Sequence, residues 1–87
     1  MSYADDARAL LASRLDVEDE LLDLYALLLL VRGEATTTED VHDAWSLWRS
    51  RTDPQHRSVR PFAELSAEVQ AMDEEYAEAI REAARER

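Results

Sequence analysis

The chain has no cysteine, no lysine, one glycine and two prolines among its 87 residues. Without cysteine there is neither a disulfide framework nor a thiolate metal site, so stability has to come from packing or self-association. A single glycine leaves no glycine-rich phosphate loop and no glycine-flanked serine elbow, which removes two common routes to phosphoryl and acyl transfer. The longest apolar run, Leu24 to Val31, falls well short of the ~20 residues of a membrane helix. The N-terminus has neither a basic n-region nor an apolar h-region, and these absences lead to the expectation of a cytoplasmic protein outside the membrane. Positive charge is scarce too: 10 arginines face 20 carboxylates, for a net charge of -10. Nucleic acid is therefore not expected as a partner, because a backbone binder spreads positive charge along one face.

What remains is a helical composition in a chain long enough for one domain with one small core. Alanine, leucine, glutamate and arginine dominate, and no stretch alternates apolar and polar residues long enough for a strand. The expected fold is all-α, a small bundle of about four helices. A first helix starts after Ser2 with Tyr3, Ala7, Leu10, Leu11 and Leu15 on one face, and Asp16 is the expected cap or kink before the next. The second runs from about Val17 to Arg32 and stops at Gly33, where a left-handed C′ residue is wanted. Its half from Leu24 to Val31 is apolar all round, so it is expected to be buried centrally or to face another subunit. These elements form a leucine-rich N-terminal part over residues 1–35.

Residues 36–87 read as a helix, a loop and a long helix. Thr36-Thr37-Thr38 precedes first-turn Glu39 and Asp40, a capping signature. The helix that follows, to about Arg51, carries Val41, Trp45 and Trp48 with Ala44 and Leu47 beside them, and Asp53-Pro54 ends it. The segment from Pro61 to Leu65 is expected to drop Phe62 and Leu65 into the core. Ser66 then caps a last helix with an apolar seam of Val69, Met72, Tyr76, Ile80 and Ala83. The acidic runs Glu18-Asp19-Glu20 and Asp73-Glu74-Glu75 are read as solvated helix faces, since neither has the spacing of a calcium loop.

Between Asp40 and Phe62 lie both tryptophans, both histidines, both prolines and four arginines. Arg49, Arg51, Arg57 and Arg60 oppose only Asp53 between residues 49 and 60, a local charge of about +3 in an acidic chain. Trp45 and Trp48 are three apart, so their indoles either wall a site for a planar ring or fill the core. His42 and His56 either contact a ligand or fix the loop through a carbonyl or carboxylate. The arginines offer forked donors to an anion. Glu39-x-x-His42 has the spacing of one half of a carboxylate-bridged di-iron site, but the second copy is missing, so no metal and no cofactor is expected.

The order Val41-His42-x-x-Trp45, then Gln55-His56, then Pro61-Phe62-x-x-Leu65-Ser66-x-Glu68 and Asp73, resembles the RyR domain over about residues 40–80. The family pattern has proline after the histidine where this chain has Arg57. The resemblance implies a ligand-binding helical module and not an enzyme, with Trp45 stacking an adenine-nucleotide-like ligand. Short bacterial and phage proteins carry this module, which implies a cytoplasmic protein of a bacterial cell or a phage-infected host. It would sequester or sense a nucleotide-derived signal, for instance as an anti-defence sponge. The expected site comprises His42, Trp45, Trp48, Arg49, Arg51, His56, Arg57, Arg60 and Phe62. A homo-oligomer through the Leu24 to Val31 surface is expected as well. The alternative is a helical protein-interaction module with no small ligand, and mimicry of DNA by the acidic surface is a third class that net charge permits.

Overall fold

Ser2 and Asp5 start the first helix by satisfying each other's backbone. The Ser2 hydroxyl accepts the Asp5 N–H and the Asp5 carboxylate accepts the Ser2 N–H, both at 3.1 Å, which satisfies donors that a helix start leaves free. The helix, α1, spans Tyr3–Ala12. The computed structural model of the chain describes residues 2–87, and among them the regular structure is helical throughout. The fold is thus a small all-α bundle of four helices.

The second helix, α2, spans Asp19–Val31 and begins at Glu18 without a side-chain cap. Neither Asp16 nor Val17 starts it. The chain between Ala12 and Asp19 is a turn and a short irregular link, with Leu15 and Val17 packed against the core. Beyond its C-terminus Gly33 takes φ +56, the left-handed conformation that a side chain resists. The turn that follows is held by α4 (Ala67–Glu86), whose Arg81 guanidinium donates to the Thr36 carbonyl at 2.9 Å. Thr37 and Asp40 then form a second reciprocal cap at 3.0 and 2.9 Å for α3, which spans Thr38–Ser50. The Ser66 hydroxyl caps α4 by accepting the Val69 N–H.

Because α2 is the most apolar element, it takes the centre and packs on α1, α3 and α4. Tyr25, Leu29, Val41, Leu11, Ala77, Ile80 and Ala83 are almost fully buried. Each large member stabilises the fold by about 1.5–3 kcal/mol through burial. The expectation of burial on every side of α2 is corrected at Leu27 and Val31, which are 52% and 66% exposed. Tyr3, Leu47 and Met72 are also largely exposed, which corrects the expectation that Tyr3 and Met72 are covered on the apolar faces of their helices: Tyr3 is the first residue of α1, and Met72 stands at the rim of the cavity described below. Phe62 and Leu65 are only half-buried. No helix among the described residues is long and apolar enough to cross a membrane.

Candidate functional site

Residues three and four apart on a helix share a face, and this spacing puts His42 and Trp45 together on the side of α3 turned to α4. There Val69, Met72, Asp73 and Tyr76 come from α4, Leu21 and Tyr25 from α2, and His56 and Ser58 from the loop after α3. Together they enclose a cavity of about 300 Å³. Its walls are mostly apolar and aromatic, with a few polar atoms converging on it, the general make-up of a small-molecule site.

His42 is 1% exposed and both its ring nitrogens are engaged. Nε2 lies 2.8 Å from the Arg60 carbonyl, which only accepts, so this nitrogen carries hydrogen. The Ser46 hydroxyl is 3.2 Å from the same nitrogen. Nδ1 lies 3.1 Å from Asp73 Oδ2, and a single proton is shared across that contact. Burial raises the Asp73 carboxyl above its ordinary value, while the charge and hydrogen bond of His42 pull it back. Against the His42 ring, Trp45 is stacked at 5.7 Å and Phe62 tilted at 6.2 Å. His42 is therefore a strut that fixes the loop and positions Trp45, with no nitrogen left over for a ligand.

Trp45 is half-buried, with its neighbours on two sides fixed by protein rings. His56 meets it edge-on at 5.3 Å. The His56 ring is oriented by the Ser58 N–H, which donates to Nδ1 at 3.0 Å, so the hydrogen of the neutral ring sits on Nε2. Burial raises the Tyr25 hydroxyl above its ordinary value of 10.0, helped by the nearby charges of Asp73 and Tyr76. The hydroxyl thus stays protonated and serves as a neutral donor or acceptor.

The two indoles do not form one wall. Trp48 lies on another flank of α3, beside Arg49, Arg51, Thr52 and the acidic start of α2 at Glu18, Asp19 and Glu20. The Arg49 guanidinium sits 5.0 Å from the Trp48 ring centroid, a cation–π contact. Arg51 pairs with Glu20 at 3.3 Å. This flank is a neutralised surface and not a cationic rim. Arg57 and Arg60 are exposed elsewhere, along a groove with Glu64 and Glu68. That groove shares His56, Ser58 and Val69 with the cavity, so the two adjoin. Among the described residues neither arginine has an ion-pair partner.

Of the nine residues expected at one site, the structure brings His42, Trp45 and His56 to the cavity and Arg57 and Arg60 to its outer groove. Phe62 braces His42 from behind. Trp48, Arg49 and Arg51 are elsewhere. The lining residues outside that expectation are Leu21, Tyr25, Ser58, Val69, Met72, Asp73 and Tyr76. Asp73 is also a correction to the solvated reading of its acidic run, since it is 8% exposed. Its signal was present in the sequence, because a carboxylate four residues after Val69 and three before Tyr76 falls on the apolar seam. Among the described residues no three His, Asp or Glu side chains are grouped to hold a metal ion.

The chain belongs to the family described as Domain of unknown function (DUF7701), whose match covers residues 2–85 and so takes in all four helices but for the last residue of α4. No curated protein and no solved structure matches it.

Proposed function

We propose that the chain is a non-enzymatic receptor for a small, planar, nucleotide-derived ligand, which it sequesters or senses. The carrying observation is the cavity beside Trp45, whose apolar walls accept a ring and whose outer groove holds two unpaired arginines. A base inserted there gains dispersion from the indole, at about 1–3 kcal/mol for each stacked base. Its phosphates would lie outward, where Arg57 and Arg60 offer forked donors. The resemblance of His42-x-x-Trp45 and the segment from Pro61 to Asp73 to the RyR domain supports the same reading. The Ser46 hydroxyl lies 3.2 Å from His42 Nε2, but that nitrogen donates its hydrogen to the Arg60 carbonyl and cannot take the hydroxyl proton in this arrangement, which favours binding over catalysis. A role against a host defence signal, in the cytoplasm of a bacterium, is part of this proposal.

The test is a thermal-shift panel of adenine nucleotides, ADP-ribose derivatives and cyclic oligonucleotides. A ligand at a hundred times its Kd stabilises the fold by about 2.7 kcal/mol. At least one class is expected to raise Tm, with the rise abolished by Trp45→Ala and reduced by Arg57→Ala. A flat response across the panel contradicts the proposal.

A second reading is favoured by a separate observation. Leu27, Val31 and Leu47 are each more than half exposed, and the first and last line a shallow groove with Leu24, Leu28, Ala44, Asp40 and Asp43. Such a strip suits a second copy of the chain or another helical protein. Light scattering coupled to size exclusion checks it: a dimer that Leu27→Glu converts to monomer supports self-association, and a monomer at every concentration opposes it.

A further inference from the structure

Among the described residues, two oxygens of otherwise buried side chains that line the cavity have no hydrogen-bond partner in the protein. The Tyr25 hydroxyl belongs to a residue 1% exposed, and Asp73 Oδ1 to one 8% exposed. His42 engages only the other carboxylate oxygen, Oδ2. The sealed and unpartnered side-chain atoms among the described residues are Arg14 Nε and Arg49 Nε. The Tyr25 and Asp73 oxygens are not among them, so both open on the cavity they line. In the free protein they are left to water, and a ligand that displaces this water has to supply matching hydrogen-bond partners.

The chemistry of the two atoms is fixed. The proton of the His42–Asp73 pair lies between Nδ1 and Oδ2. Oδ1 is therefore an acceptor whether the pair is imidazolium with carboxylate or neutral imidazole with carboxylic acid. A ring carbonyl turned toward Oδ1 sets acceptor against acceptor, and a phosphate there adds like charge. An amine meets it with a hydrogen, and the Tyr25 hydroxyl can then donate to the adjacent ring nitrogen or accept the second amine hydrogen.

We infer that Asp73 Oδ1 and the Tyr25 hydroxyl form the selective inner end of the cavity and read an exocyclic amine on a heteroaromatic ring. The inference rests on the reading of this cavity as the ligand site. It makes Asp73 and Tyr25 specificity residues and sets the ligand's direction. The amine edge goes inward, the ring lies against Trp45, and the anionic end faces the groove of Arg57 and Arg60.

Calorimetric titration of the full chain with matched 5′-monophosphates tests this, comparing adenosine with purine riboside and inosine, and cytidine with uridine. In the pair that binds, the amine-bearing member is expected to bind about tenfold or more tightly, the scale of a hydrogen bond to a charged group. Asp73→Leu is expected to erase that ratio, whereas Asp73→Asn, which keeps a carbonyl acceptor, retains it. Equal affinity within each pair, or a ratio that survives Asp73→Leu, overturns the inference and leaves the cavity reading standing. Failure of every compound to bind overturns both. Should Asp73→Leu not fold, the wild-type ratio and its reduction in Tyr25→Phe decide the matter.

Discussion

His42 Nδ1 and Asp73 Oδ2 meet at 3.1 Å with both residues buried, joining α3 to α4 at the base of the cavity. The other nitrogen of the same ring holds the Arg60 carbonyl, so one imidazole ties two helices and the loop between them. Replacing His42 by alanine strands a buried carboxyl and a loop carbonyl and removes a ring from under Trp45. The expected cost is about 2–4 kcal/mol. Thermal unfolding followed by circular dichroism should then show Tm lower by roughly 10 °C or more. A fall of less than about 2 °C would show that the tie is not needed.

The same pair sets a pH dependence. Burial holds the folded Asp73 carboxyl above its ordinary value of 3.8, against the opposing pull of His42. The groups facing it are His42 from α3, Tyr25 from α2 and Tyr76 from α4. Its contribution to stability is therefore fully present below pH 3.8 and is lost as pH rises through the raised folded value. Asp73→Asn cannot ionise and keeps a hydrogen bond to neutral His42. Urea unfolding at about pH 4 and about pH 7 should show the wild type losing ground to Asp73→Asn as pH rises. A difference between the two proteins that does not change with pH contradicts the assignment.

Gly33 isolates a backbone effect. A Cβ built on it meets the Ala84 Cβ at 3.9 Å, an ordinary contact, so no steric penalty is added. Gly33→Ala should therefore cost only the left-handed conformation, about 1–2 kcal/mol, and Gly33→Asn less. Chemical denaturation measures both. Equal losses for alanine and asparagine would point to packing against α4 instead.

The exposed strip on α2 and α3 separates folding from association. Leu47 is 57% exposed and contributes little to the core. Leu47→Asp is expected to change monomer stability by no more than about 0.5 kcal/mol. A loss above roughly 2 kcal/mol, measured by urea titration at low protein concentration, would mean that the leucine is covered in the folded protein.

The helices were legible because their signals are local. Ser2, Thr37 and Ser66 cap where hydroxyls precede first-turn carboxylates or an apolar seam, and Gly33 stops α2 as the lone glycine should. The start of α2 was missed by about two residues, because Glu18 is the extended residue before it and Leu15 and Val17 pack on the core through contacts no local pattern reveals. At the site, clustering in sequence pointed to the right segment but overstated how much of it converges. Trp48 and Arg49 follow Trp45 by three and four positions, yet they turn to the acidic start of α2, a long-range neighbour. Conversely, Tyr25 and Asp73 come from distant elements and look like a core aromatic and a surface acid. Only the packing of α2 and α4 on α3 shows that their polar atoms open on one cavity.

The most direct measurement uses Trp45 as its own reporter. In Trp48→Phe the remaining indole is the one at the cavity, and its emission can be followed while adenosine 5′-monophosphate and cyclic oligoadenylates are added. The expected result is saturable quenching whose midpoint moves about tenfold or more to higher concentration when Asp73→Leu is added to the same background. Emission that stays constant with every compound, in a folded protein, contradicts the claim that this cavity receives a flat ring.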